Sequence, residues 1–445
     1  MHPLSPFAPP PGRGSAPVTA RAALALLGAL VLGALAAAQP PKEQEPEKKE
    51  PEKKEPMWPL DINGKDIKAV MKDMEDPDPT IREFAARTLP GFGPPAQKGE
   101  VSKLLIRRMT AERDPGVRFA VWTAVGSIAF DSEADNKEAI RVLASIVSNA
   151  PSGSSARYQA VQTISMFGPK GEGAIGALTG IAIKDASYET RRVIASALGR
   201  IGFNETGGPN MLALTKLADI LAKDESAAVR MEALQALMLL GPPWAGFKQP
   251  GDKMTPPIKT DAAATIVRYM KYRVGDPKLK LAGHEKDKQV EIWARLVLMR
   301  FDPSEINEEN LDAFARHLTQ PNIGVRIQAL QAIAFMGEAG ARKWQDVESL
   351  LWNKQQPLQL TVATVQVLEA MGGGAKPALP KLREFAAETR KDIEKIGASK
   401  PAEKLTAEEL QKKKNGEDLV KMVEKAIKHI EETKVMNPIP DPPKK

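Results

Sequence analysis

Four histidines, a glycine-rich hexapeptide, a lysine cluster and a periodic row of arginines are the residues of this chain whose type and spacing could do chemistry. His2, His284, His317 and His429 could ligate a metal or carry a proton near neutral pH. None has a second His or a Glu at a spacing that sets two ligands side by side, so each is expected to stand alone. Gly171, Gly173 and Gly176 fit the G-x-G-x-x-G pattern that cradles a pyrophosphate. That cradle works only where a strand feeds a helix N-terminus, and here both flanks carry a helix pattern, so it reads as a turn. Lys278, Lys280, Lys286 and Lys288 are interleaved with Asp276, Glu285 and Asp287, unlike the concentrated basic stripe that holds phosphates. The net charge of +7 falls further if Arg13 and Arg21 leave with a cleaved leader. With no cysteine, thiolate and disulfide chemistry are excluded. Catalytic, metal and cofactor residues are therefore read as none, the chain as not an enzyme, and nucleic acid as not its partner. The arginines remain: Arg82, Arg118, Arg157, Arg191, Arg230 and Arg326 recur so regularly that they are either an anion-binding row or part of a structural repeat.

The elements that carry the arginines decide between these. With Glu291 and Thr361 in the same register, the marked positions are 36, 39, 34, 39, 61, 35 and 35 residues apart, the signature of a stacked repeat. Counting each as zero, position +7 is aliphatic in all eight units: Leu89, Val125, Ile164, Leu198, Leu237, Leu298, Ile333 and Leu368. Positions +3 and +6 are small or β-branched, for example Ala329 and Ala332 in the unit at 322–337, NIGVRIQALQAIAFMG. Offsets of 3, 6, 7 and 10 fall on one helix face. Asp78, Asp114, Asp287 and Asn322 stand four residues ahead as N-caps, with Pro79 and Pro115 at first helical positions. Gly93, Gly168, Gly202, Gly241, Gly337 and Gly372 mark the ends. A second apolar segment follows each stop, so every unit is a helical hairpin that must stack on its neighbours to be stable. A ladder between neighbouring hairpins is the preferred reading of the arginines, because their period is that of the core.

The stretches at 114–128, 226–241 and 322–337 follow Asp-Pro-x-x-Val-Arg-x-x-Ala-x-x-Ala-Leu-Gly-x-Ile-Gly, with departures. This resembles the HEAT-repeat family, close to its bacterial HEAT-like subtype, which is similar to repeats in phycobilisome bilin lyases. The opening INGKDIKAVMKDMEDPDP also resembles the first hairpin of exported planctomycete HEAT proteins. The resemblance spans about 66–396 and implies an all-α fold, an α-solenoid of about eight HEAT-type helical hairpins. It implies that Arg118, Arg230 and Arg326 pair with acidic or cap residues of adjacent turns. Glu291 and Thr361 depart from the family's Arg.

Outside the repeats, residues 1–38 read as a signal peptide, with an apolar run at 22–38 and Ala36-Ala37-Ala38 before Gln39. Residues 39–58 form a Pro/Lys/Glu tether, which buries too little apolar surface to fold. The solenoid is placed at 59–396, a linker at 397–405, a C-terminal capping helix at 406–435 opened by Thr406 and Glu409, and a disordered tail at 436–445. An insertion at 242–260 carries Trp244, Phe247 and Lys248, candidate partner-binding residues because aromatics without core periodicity suit an interface. The expected function is a non-catalytic scaffold of the cell envelope or exterior that binds a protein or peptide. The alternatives are a structural envelope component and, at fold-level analogy only, a bilin-lyase-like enzyme or accessory. Export to the periplasm or exterior is expected, with membrane attachment only if the leader is retained as an anchor.

Overall fold

The computed structural model describes residues 58–204, 207–241, 261–275, 283–337, 339–353, 356–399 and 405–434. These residues form eighteen α-helices and one two-residue-strand hairpin, β1 (Asp61–Ile62) with β2 (Lys65–Asp66). They divide into two units, met in chain order as residues up to 310 and residues from 311 onward.

The first unit holds α1 (Ile67–Asp73), α2 (Pro79–Thr88), α3 (Gly99–Ala111), α4 (Pro115–Ser127), α5 (Glu133–Asn149) and α6 (Ser155–Met166). It continues with α7 (Ile175–Ile181), α8 (Tyr188–Ile201), α9 (Met211–Lys223), α10 (Ala227–Leu240), α11 (Asp261–Val274) and α12 (Lys288–Phe301). The even-numbered helices α2 to α10 carry the repeat arginines, α12 has Glu291 in that place, and all six stack in order, α2 on α4 through α10 on α12; α3, α5, α7, α9 and α11 stack as a second layer. Each even helix packs on the odd helix before it, so the natural hairpin is α3–α4 or α9–α10. Sequence reading grouped each arginine helix with the segment after it; the structure shifts the hairpin boundary by one helix.

The core is the one the periodicity predicts. All eight +7 side chains are at most 2% exposed, from Leu89 to Leu368. At +6, Ala124, Ala197, Ala236 and Ala332 are buried. The reason for small residues is contact: a Cβ on Gly199 of α8 would lie 2.7 Å from the Cβ of Ala236 on α10. α12 is unusual, with every residue from Ile292 to Met299 buried, including Arg295, which donates to Asn310 Oδ1 at 2.7 Å.

The second unit contains α13 (Glu308–His317) from its fourth residue onward, α14 (Ile323–Phe335), α15 (Trp344–Glu348), α16 (Leu358–Ala370), α17 (Leu379–Ser399) and α18 (Ala407–Glu432). α14, α16 and α18 stack in order, and α17 packs along α18. α17 runs to Ser399, three residues into the stretch 397–405 expected as a linker, of which 400–404 lie outside the described residues. α18 opens with a capping box, Thr406 accepting from the Glu409 N–H while Glu409 accepts from the Thr406 N–H. Its Leu419, Val420, Val423, Ala426 and Ile430 are buried, so α17–α18 completes the stack as a further hairpin.

The helix stops divide into two kinds. Gly93, Gly168, Gly337 and Gly372 have φ between 53° and 66°, where a side chain is strained. Gly202, at φ −76°, is there for space: a Cβ would stand 2.3 Å from the Leu198 carbonyl oxygen.

Candidate protein-interaction surface

The repeat arginines point into the joints between hairpins. Arg82 donates from Nε and Nη2 to the two carboxylate oxygens of Glu112, both at 2.9 Å, and from Nη1 to the Asp76 and Pro77 carbonyls. Arg157 donates to Asp185 at 2.7 Å, Arg191 to Asp224 at 2.7 and 3.2 Å, and Arg230 to Glu285 at 2.9 and 2.7 Å. These pairs are buried, the four carboxylate side chains being no more than 3% exposed. The hydrogen bond from Arg82 holds the Glu112 carboxyl below the ordinary Glu value, against the burial that would raise it. The same bond raises Arg82, and that to Asp224 raises Arg191.

Each acid does a second job. Glu112 accepts from the N–H groups of Arg113 and Asp114, Asp224 from Ser226, and Glu285 from Lys286 and Asp287. It therefore shapes the turn leading into the next even-numbered helix while neutralising the arginine of the hairpin before. The acid lies two residues ahead of the N-cap in each case: Glu112 before Asp114, Asp185 before Ser187, Asp224 before Ser226 and Glu285 before Asp287.

Arg118 and Arg326 make no ion pair among the described residues. α5 ends at Ala150, in the extended conformation that Glu112 and Asp224 adopt at the ends of α3 and α9, but alanine brings no carboxylate. Arg118 instead lies over the Trp122 ring, 5.7 Å from its centroid. The partner of Arg326 would stand ahead of α16, and the sequence has Gln355 two residues before the Pro357 N-cap, so the acid is missing there as well. The Arg326 Nε is buried with no hydrogen-bond partner. The sequence signal for a rung is thus the acid two residues ahead of the next N-cap.

What the stacked arginine helices leave open is the side facing away from the odd layer. It carries Phe84 (54% exposed), Met166 (44%) and Leu239 (41%), with half-buried Phe119, Tyr158 and Met231 between them. Tyr158 is oriented by a 3.0 Å hydrogen bond that its hydroxyl accepts from Gln162. Large apolar side chains interspersed with hydroxyl and amide groups suit contact with another polypeptide.

The remaining sequence candidates fall elsewhere. His284 stacks on Tyr272 with centroids 4.2 Å apart, His317 is buried and His429 is exposed on α18. No group of three or more metal-ligating side chains is present among the described residues. The glycine hexapeptide runs from the turn after α6 into the first two residues of α7, with no strand before it, and Gly171 packs on Ile201. Trp244, Phe247 and Lys248 lie outside the described residues, as do the leader and all of the tether except Trp58, whose ring packs on Gly93. No helix among the described residues is long and apolar enough to cross a membrane.

Stacked helical hairpins tied by buried rungs, with one helix layer open along its length, define an α-solenoid scaffold. Residues 67–165 and 154–238 match the family model described as HEAT repeats. Yeast importin-β (Kap95p) is similar in structure, at 13% identity and a TM-score of 0.50, over 81% of this chain and 46% of its own. This chain thus spans a little under half the length of importin-β, and the likeness establishes the fold alone. An engineered protein aligns over 81% of this chain and 88% of its own at 15% identity and a TM-score of 0.37. No curated protein matches significantly in sequence.

Proposed function

We propose that this chain is a non-catalytic scaffold that binds a protein or peptide along the open face of its arginine helices, and that it works outside the cytoplasm. The observation that carries the binding role is the run of exposed and half-buried Phe84, Phe119, Tyr158, Met166, Met231 and Leu239 along the stacked helices. Exposed aromatics on a rigid surface provide contact area with little side-chain entropy to lose. The chain's likeness to HEAT-repeat proteins supports the same reading, because their stacked hairpins present extended surfaces. Export rests on the apolar run at 22–38 and the Ala36-Ala37-Ala38 site, and the charged segment that follows would serve as a tether.

The test is a cross-linking capture from envelope extract with residues 39–445, compared with a Phe119→Asp/Tyr158→Asp form and a form lacking residues 242–260. Enrichment lost with the face substitutions supports the proposal. Enrichment lost only with the deletion moves the contact to the insertion carrying Trp244, Phe247 and Lys248. Enrichment that neither change reduces moves the contact to another surface of the repeats, and no enrichment over a control protein leaves a purely structural envelope role ahead. N-terminal sequencing of the exported product tests the leader, with a start at Gln39 expected.

A further inference from the structure

We propose that Met166, Arg200, Leu239 and Arg300 form one recognition row for an extended acidic–apolar peptide segment of the partner protein, its carboxylates seated on the two arginines. This rests on the scaffold reading and names the chemistry of its partner.

The four residues stand at the same place, nine past the repeat position, on α6, α8, α10 and α12, which stack in that order. Three of them lean over the end of the preceding helix. A Cβ on Gly126 would meet Met166 Sδ at 2.9 Å, one on Gly199 would meet Leu239 Cδ1 at 3.6 Å, and one on Gly241 would meet Arg300 Nε at 2.8 Å. The row is therefore a continuous ridge that alternates apolar, basic, apolar, basic.

Its charges are unanswered. Neither Arg200 nor Arg300 has an ion pair among the described residues. Arg200 is exposed. Arg300 has a buried Nε with no partner and one long hydrogen bond, 3.3 Å from Nη2 to the Gly241 carbonyl. Burial pushes its guanidinium down to about 10, the sign of a cation stripped of water without a carboxylate in exchange. The rungs of the same stack show what such a guanidinium takes when an acid is supplied, two short bonds to one carboxylate. Glu232, on the same side of α10, stands seven residues from Leu239, about two turns away.

Spacing sets the pattern of the ligand. Packed helices lie about 8–10 Å apart, so Arg200 and Arg300 are separated by roughly 20 Å across α10. An extended peptide rises about 3.3 Å per residue, so the two acids would be about six residues apart, on the same side of the strand. Apolar residues at the second and fourth places between them would face Leu239.

The probe is a fluorescein-labelled peptide GESLSLSEG, titrated with the full chain and read by anisotropy. GQSLSLSQG and GKSLSLSKG are the controls. The glutamate peptide is expected to bind at least about tenfold tighter than the glutamine peptide, with the difference shrinking at high salt. Arg200→Gln and Arg300→Gln are each expected to erase most of that difference, and thermal melting checks that they fold. Equal binding of the glutamate and glutamine peptides overturns the proposal, as does glutamate binding indifferent to both arginine variants. If the acidic preference is absent while face substitutions still abolish cross-linked capture, this inference fails and the scaffold reading stands. If capture is also indifferent, both fail.

Discussion

Removing one rung isolates what holds adjacent hairpins in register. In the Arg82–Glu112 pair the side chains are 14% and 3% exposed, and the guanidinium meets both carboxylate oxygens. Breaking a buried pair from one side costs about 3–5 kcal/mol, because the remaining charge is stranded. Glu112→Gln should cost less, about 2–3 kcal/mol, since Arg82 keeps the Asp76 and Pro77 carbonyls and glutamine still accepts from Arg113 and Asp114. A cycle with Arg82→Met should return a coupling of about 2 kcal/mol. Repeat arrays can unfold in parts, so the assay is urea unfolding paired with hydrogen exchange at the α2–α4 joint. The pH dependence has a fixed sign. The folded Glu112 carboxyl is depressed below its ordinary value of 4.5, so the pair stabilises fully above that value and its contribution is lost as pH falls through the lower, folded value. The gap between wild type and Glu112→Gln should close over that acid range. A coupling under about 0.5 kcal/mol, the level of an exposed pair, would refute the reasoning.

The missing rung can be supplied: Ala150→Asp should engage Arg118 and stabilise by about 1 kcal/mol relative to Ala150→Asn, and the gain should vanish with Arg118→Met. Gly202→Ala drives a methyl into the Leu198 carbonyl and the Leu240 side chain, and should lower stability in urea by about 1–3 kcal/mol with faster exchange in α8. Thr406→Ala removes the cap of α18 and should cost about 1 kcal/mol, seen as earlier tryptic cleavage at Lys412, Lys413 or Lys414.

The sequence made the helices legible because burial imposes one period on them: the eight +7 aliphatics are all interior, and Asp78, Asp114, Asp287 and Asn322 cap as their positions imply. The partners of the arginines were harder to read, since cap residues are the nearest polar groups in sequence. Those caps are already committed to their own helix N–H groups, as Asp114 is to Gly116 and Val117. The carboxylate left for the neighbouring arginine is two residues earlier, on a residue with no helical periodicity to advertise it. The hairpin boundary was misplaced for a related reason: both connections are short, and periodicity within a helix is silent about which neighbour it packs against. The open face was invisible for the opposite reason. Phe119, Met166 and Leu239 differ in no local way from core residues until the stack shows which sides are already covered.

The direction of the rungs gives the array a polarity during synthesis. An arginine helix leaves the ribosome before the acid that will neutralise it, which follows 30 residues later for Arg82, 28 for Arg157 and 33 for Arg191. For Arg230 the interval is 55 residues. The newest hairpin is always the unfinished one, and each finished hairpin is locked by its successor. Arg118 waits for nothing, so the joint after α4 is where a nascent chain can pause, or a gene can be cut, without stranding a charge that the whole protein would have paired.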